Sequence, residues 1–210
     1  MKTNLASAIT IVLLILNFSA KSQVNYSITP GFYTTVKDYE SKNIKNVGTF
    51  GANDMNKVIF ENEGKKTLYA CRDLTDWGFH DNKGYDWRIF NKQAYVIIET
   101  GKLVVYYKGI LKINKKDSTD VMCDAEQIYF SSGYDGEITG FFFGRKEAIK
   151  KVADWIRKED PELAAKFESE DFSFFPKNVK TIVEYAKMLN DKFEKKTTPR
   201  IDYKIKVTPN

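Results

Sequence analysis

Hydrophobic and polar positions follow two rhythms along this 210-residue chain. From about residue 26 to 143, short apolar and aromatic runs are broken by turn residues every eight to twelve positions, the rhythm of a meandering antiparallel sheet. From Gly144 onward the period is helical. Ala148, Ile149, Val152, Ala153 and Ile156 recur at three- and four-residue steps and predict a helix over Arg145–Lys158, with lysines on its other face. Asp160-Pro161 predicts a second, short helix to about Phe167, because an acceptor side chain precedes a residue whose missing N–H is not needed in a first turn. Asn178 is expected to cap a longer helix to about Phe193, lined by Val179, Ile182, Val183, Ala186 and Leu189. Near the start, Thr35-Val36-Lys37-Asp38 has the spacing of a capping box.

The clearest strand pair is Ala94–Glu99 and Lys102–Tyr107 around Thr100-Gly101. A two-residue loop would set Glu99 against Lys102, Ile98 against Leu103 and Ile97 against Val104. Both alternating sets, Tyr95/Ile97 and Ala94/Val96/Ile98, are apolar, so neither face of this ribbon can be left in water. A second hairpin is predicted to turn at Asp81-Asn82-Lys83-Gly84, with Trp77–Phe79 and Tyr85–Phe90 as arms, Trp77 across from Arg88 and Gly78 across from Trp87. Further strands are expected at Val58–Glu61, Thr67–Arg72, Gly109–Ile113, Ala125–Phe130 and Phe141–Phe143. The expected fold is α+β: an antiparallel sheet curled strongly enough for a barrel to be among its forms, covered by the C-terminal helices.

The N-terminus changes the picture by supplying an address. Lys2, the apolar run Ala8–Leu16 and the small residues Ala20 and Ser22 predict a signal peptide over residues 1–22. The protein is then exported, periplasmic or secreted, and begins at Gln23. No cysteine stands near the cleavage site, which excludes a lipoprotein, and no apolar run approaches the roughly 20 residues of a membrane span. Residues 23–198 are expected to form one domain, with 199–210 as an extended tail in which Ile201–Val207 alternates well enough to add an edge strand. The net charge of +5 falls to +3 once Lys2 and Lys21 are removed, and the lysines are interleaved with carboxylates, so a nucleic-acid partner is not expected.

Candidate chemistry is sparse. Cys71 and Cys123 are the only cysteines, and export places them where a disulfide can persist. Closing that loop would contribute up to ~4 kcal/mol, and two separate buried thiols are the equal alternative. His80 is the only histidine. It stands between Phe79 and Asp81, and the sequence offers it no nucleophile, so no catalytic residue is assigned and a turn role is expected. The acidic stretches Asp81–Asp86 and Asp117–Asp124 raise the question of calcium, but Asp81–Asp86 lacks the third-position ligand and the terminal Glu of an EF-hand loop and reads as a solvated turn. No metal or cofactor is expected. What remains is aromatic: Trp77, Phe79, Tyr85 and Trp87 lie within eleven residues. Trp77, Phe79, Tyr85 and Arg88 are therefore the candidate binding residues, for a sugar ring stacked on an exposed indole or for an envelope peptide. Of the two indoles, Trp87 is expected in the core and Trp77 at least partly exposed.

Gly31-Phe32-Tyr33-Thr34-Thr35-Val36-Lys37-Asp38-Tyr39, Trp77-Gly78-Phe79, the Gly101–Tyr107 strand and Ile128-Tyr129-Phe130 together resemble a family of short exported bacterial proteins with a Gly-x-Tyr-x-Thr/Ser-x-x-Asp-Phe/Tyr start. That family has no assigned activity, so the resemblance implies export and a single domain and nothing about mechanism. The leading functional expectation is a non-catalytic ligand- or partner-binding protein of the cell envelope. A carboxylate/His-dependent hydrolase and a structural or stress-related envelope protein are the alternatives.

Overall fold

A computed structural model describes residues 30–46, 49–54, 56–109, 111–114, 117–140, 145–172, 175–193 and 204–208. The expected signal peptide and the expected strand Phe141–Phe143 lie outside them. In chain order the elements are β1 (Gly31–Tyr33), α1 (Val36–Glu40), β2 (Thr49–Asp54), β3 (Lys57–Asn62), β4 (Lys65–Ala70), β5 (Gly78–His80), β6 (Asp86–Phe90), β7 (Gln93–Glu99), β8 (Leu103–Tyr107), β9 (Lys112–Asn114), β10 (Asp117–Asp124), β11 (Ile128–Ser132), β12 (Thr139–Gly140), α2 (Arg145–Glu159), α3 (Pro161–Glu168), α4 (Phe175–Phe193) and β13 (Lys204–Thr208). Single 3-10 turns at Cys71–Asp73 and Ala125–Gln127 stand where strand ends were expected.

Seven strands form one antiparallel sheet in the order β1-β5-β6-β7-β8-β11-β12. It is open, with β1 and β12 at its edges, so the barrel form is corrected. The meander β2-β3-β4 and the trio β13-β10-β9 make two further three-stranded sheets. In the second of these, β13 runs parallel to β10, placing part of the C-terminal tail in a sheet.

Both faces of the large sheet are covered, as the doubly apolar hairpin requires. Ala94, Val96, Ile98, Leu103, Val105 and Tyr107 join one core with Ala148, Val152, Ile156, Phe167, Ile182 and Leu189 from α2, α3 and α4. Tyr95, Ile97, Val104 and Tyr106 join a second cluster with Tyr33 and Tyr39, beneath α1 and Ile138. The helices follow their predicted bounds except α4, which starts three residues before Asn178. Asn178 is buried inside the helix, and its side-chain amide donates to the Phe172 carbonyl at 3.1 Å.

Two registers differ from expectation, each for a tertiary reason. In β7–β8 the pairs are Val96↔Tyr107, Ile97↔Tyr106 and Glu99↔Val105, two residues from the expected alignment and with a bulge before Glu99. An even shift leaves every side chain on its face, so the cost of the change is small. Its cause is Asn190 of α4, whose side chain accepts from Leu103 N at 3.0 Å and donates to Leu103 O at 2.9 Å and to the Glu99 carboxylate at 3.0 Å. Asn190 thereby takes the place of β7 as partner of the Leu103 backbone, and Glu99 becomes buried rather than facing Lys102.

In β5–β6 the pairs are Gly78↔Arg88, Phe79↔Trp87 and His80↔Asp86, so the connection spans residues 81–85. Asp81 makes the longer loop. Its Oδ1 accepts from Lys83 N and Tyr85 N at 2.9 Å each, and its Oδ2 accepts from the Trp87 indole at 2.8 Å. The solvated-turn reading of this stretch is corrected, because Asp81 is 3% exposed. Asp117–Asp124, the other acidic stretch, is a strand. Cys71 and Cys123 are separate buried thiols and form no disulfide, which corrects the bridge. Burial and the neighbouring Asp124 push the Cys123 thiol up to about 12.

Candidate binding cleft

The second face of the sheet is built by the segment that opens the described chain. Gly31 lets β1 run against the following loop: a side chain there would drive its Cβ to 2.1 Å from Ile44 and 2.9 Å from the Lys45 carbonyl. Thr35 then caps α1. Its hydroxyl accepts from Asp38 N at 3.1 Å while Asp38 accepts from Thr35 N at 3.1 Å, the reciprocal box that the spacing predicted. Hydrogen bonds from Thr35 and Asn43, with Lys45 close by, hold the Asp38 carboxyl below its ordinary range against the opposing effect of desolvation. The cap aims Tyr39 down onto the sheet, where it stacks on Trp77 at 4.6 Å and meets Tyr33 and Tyr134 edge-on at 5.3 and 5.0 Å.

One carboxylate anchors this layer. Asp86 accepts from Tyr33 OH at 3.1 Å and Lys42 Nζ at 3.0 Å, and pairs with His80 Nδ1 at 2.8 Å. Burial opposes its ionisation, yet His80 and Lys42 together hold its pKa below the ordinary value. Lys42 also lies 4.1 Å from the Tyr39 ring centroid, so a single cation ties the end of α1 to both the carboxylate and the aromatic layer. Burial, with Asp86 adding to it, raises the Tyr33 phenol far above its usual value, so Tyr33 remains a donor. His80 is thus a buried strand residue oriented by Asp86, not a turn residue beside Asp81.

Beside this layer lies a cleft of about 370 Å³, lined by Thr34, Cys71, Arg72, Leu74, Asp76, Trp77, Ile89, Phe90 and Lys92 among others. Asn91 and Lys92 form its lip, in the left-handed backbone region at φ 47° and 65°. That is the two-residue hairpin turn between Phe90 and Gln93, and it places a cation where glycine is the easy choice. Burial raises the Asp76 carboxyl, with a Thr34 hydrogen bond opposing.

Of the four candidate binding residues, Trp77 alone lines this cleft. Trp77 and Tyr85 are half-buried. Phe79 is fully buried and stacks on Trp87 at 5.5 Å with planes 8° apart. Arg88 is 4% exposed, with its guanidinium 5.8 Å from the Trp77 ring centroid and 5.0 Å from that of Phe90. The two indoles lie on opposite faces of the sheet, Trp87 in the helix-covered core at 5% exposure. With Tyr39 stacked on one face of its indole, Trp77 has only the other face or its rim to offer a ligand. Sequence reasoning missed Thr34, Arg72, Asp76, Phe90 and Lys92, which gather only when β1, the Cys71–Asp73 turn and the β6–β7 turn meet. Among the described residues no three His, Cys, Asp or Glu side chains converge as a metal site would require. No known family, characterised protein or solved structure matches this chain.

Proposed function

We propose that this is an exported, non-catalytic protein of the cell envelope that holds a small ligand, a glycan or peptide segment, in the cleft walled by Trp77 and Phe90. The observation that carries the reading is the cleft itself. Two aromatic rings, threonine hydroxyls and charges of both signs surround a volume within the usual range for small-ligand sites. Export rests on residues 1–22 of the sequence and on the family resemblance of the Gly31–Tyr39 segment.

The His80–Asp86 pair favours a hydrolase only superficially. Asp86 is already engaged by Tyr33 and Lys42, and neither His80 nor Asp86 is part of the cleft wall. A general base must reach the proton it takes. The pair is better explained as the clasp that holds α1.

The test uses protein from the exported fraction, whose intact mass should begin at Gln23. Soluble envelope glycans and peptides should shift its tryptophan fluorescence, and Trp77→Ala should abolish the shift with the far-UV spectrum unchanged. Trp77→Ala should cost about 1–2 kcal/mol, whereas Trp87→Ala should cost ~3–5 kcal/mol, since it empties a core position. Equal destabilisation by the two replacements with no ligand response would remove the support for binding.

A further inference from the structure

We propose that Arg88 is the anchor for a carboxylate carried by the ligand of this cleft, reached past the rim of the Trp77 indole; the inference rests on the cleft reading above. Arg88 is a guanidinium with 4% exposure and no carboxylate partner among the described residues. Burying a charge without a counter-ion is costly, and proteins seldom keep one unless it is paired or used.

Its present contacts do not explain it. Nη1 donates to Tyr106 OH at 2.9 Å and to Ser131 Oγ at 3.5 Å. Those two hydroxyls already bond each other at 2.9 Å, and Ser131 Oγ donates onward to the Gly133 carbonyl at 2.7 Å. Removing the cation would orphan neither. The guanidinium also lies against the rings of Trp77, Phe90 and Tyr106, which attract a cation but give its N–H groups no oxygen to donate to.

Two buried donors find no acceptor among the described residues: Trp77 Nε1 on this wall and Arg88 Nε behind it. Trp77 and Phe90 line the cleft, and Arg88 stands directly behind both rings. A carboxylate has two acceptor oxygens and suits two such N–H groups, and contact with a guanidinium gives the stronger, charge-assisted bond. A single carboxylate is the better match, because Arg72 is paired with Asp73 and Lys92 offsets Asp76 along the same lining, which leaves the one charge of Arg88 to be met. The ligand class is therefore a small molecule or saccharide bearing one carboxylate.

Nitrogen-15 NMR reads both orphan groups directly. Acetate should move the Arg88 Nε–H and Trp77 Nε1–H resonances together and saturably, and chloride at equal ionic strength should not. Arg88→Met should keep the fold, reported by an unmoved Trp87 indole resonance, and lose the Trp77 response. Should Arg88→Met fail to fold, Arg88→Lys keeps the charge without the fork and should weaken acetate binding about tenfold, a loss of 1.4 kcal/mol. Equal shifts with chloride, or none with acetate, overturn the inference. If the glycan or peptide fluorescence response persists in that case, the cleft reading survives and only the carboxylate anchor falls; if it is absent too, both fall.

Discussion

Asp86 is the residue on which one whole face of the sheet depends. In the folded protein its carboxyl lies below the ordinary value of 3.8, so the folded state binds fewer protons than the unfolded chain through that range. Its contribution is fully present above the unfolded pKa and is lost as pH falls through the lower, folded one. Asp86→Asn should lose about 3 kcal/mol at neutral pH, because it breaks a largely buried ion pair and leaves Lys42 and His80 without their anion. Below the folded pKa the variant and the native protein should converge. Urea midpoints measured from neutral to acidic pH check both statements. A constant gap at every pH would show that Asp86 acts through packing alone. The resemblance segment acquires a physical meaning at the same scale. Gly31 allows a close approach, Tyr33 reaches Asp86, Thr35 and Asp38 form the cap, and Tyr39 covers Trp77.

Among the elements, the β7–β8 hairpin shows how local preference and tertiary contact divide the work. Its existence and its two apolar faces follow from alternation along the chain, whereas its register is fixed from outside by Asn190 on α4. Gly101 is needed there because its φ is +132° and a Cβ would come within 2.5 Å of the Asn190 side-chain oxygen. Asn190→Ala should cost about 2–3 kcal/mol by leaving Leu103 N and O without their partner. Gly101→Ala should cost ~1–3 kcal/mol from backbone strain and collision. The double replacement should be less destabilising than the sum, since truncating Asn190 removes the collision. Strict additivity in a denaturant double-mutant cycle would refute the proposed contact. Helices α2 and α3 were legible to within a residue because their stripes and caps are local, while the start of α4 was not, because Asn178 is occupied by Phe172 rather than by the backbone of a first turn.

Taken whole, the molecule is a seven-stranded open sheet between a helical layer and an aromatic layer, with its two thiols buried in the helix-covered core. Native protein should therefore resist alkylation at both cysteines even when no bridge exists, the more so as burial leaves little Cys123 thiolate near neutral pH. Unfolding without reductant separates the cases. Two alkyl groups per chain are expected from the thiol state of this structure, and an unlabelled unfolded chain would show that a bridge forms.

Strands β3 to β8 and β11, helices α2 and α3, the capping box at Thr35 and the need to cover both sides of β7 and β8 were determined by the sequence alone, since each depends on neighbours a few positions apart, whereas β1, β2, β10 and β12 were not read from it. Trp87 in the core and Trp77 on the opposite side also followed from the sequence. The partner of His80 did not. Asp81 is its neighbour in the chain, but a loop one residue longer than expected spends Asp81 on the Trp87 indole and brings Asp86 across the strand to His80. The cleft was equally invisible, because its walls come from three separate segments, at residues 34–35, 71–77 and 89–92, that only strand pairing brings together. Periodicity reports which face of an element is buried, whereas hydrogen-bond competition among distant side chains decides what it is buried against.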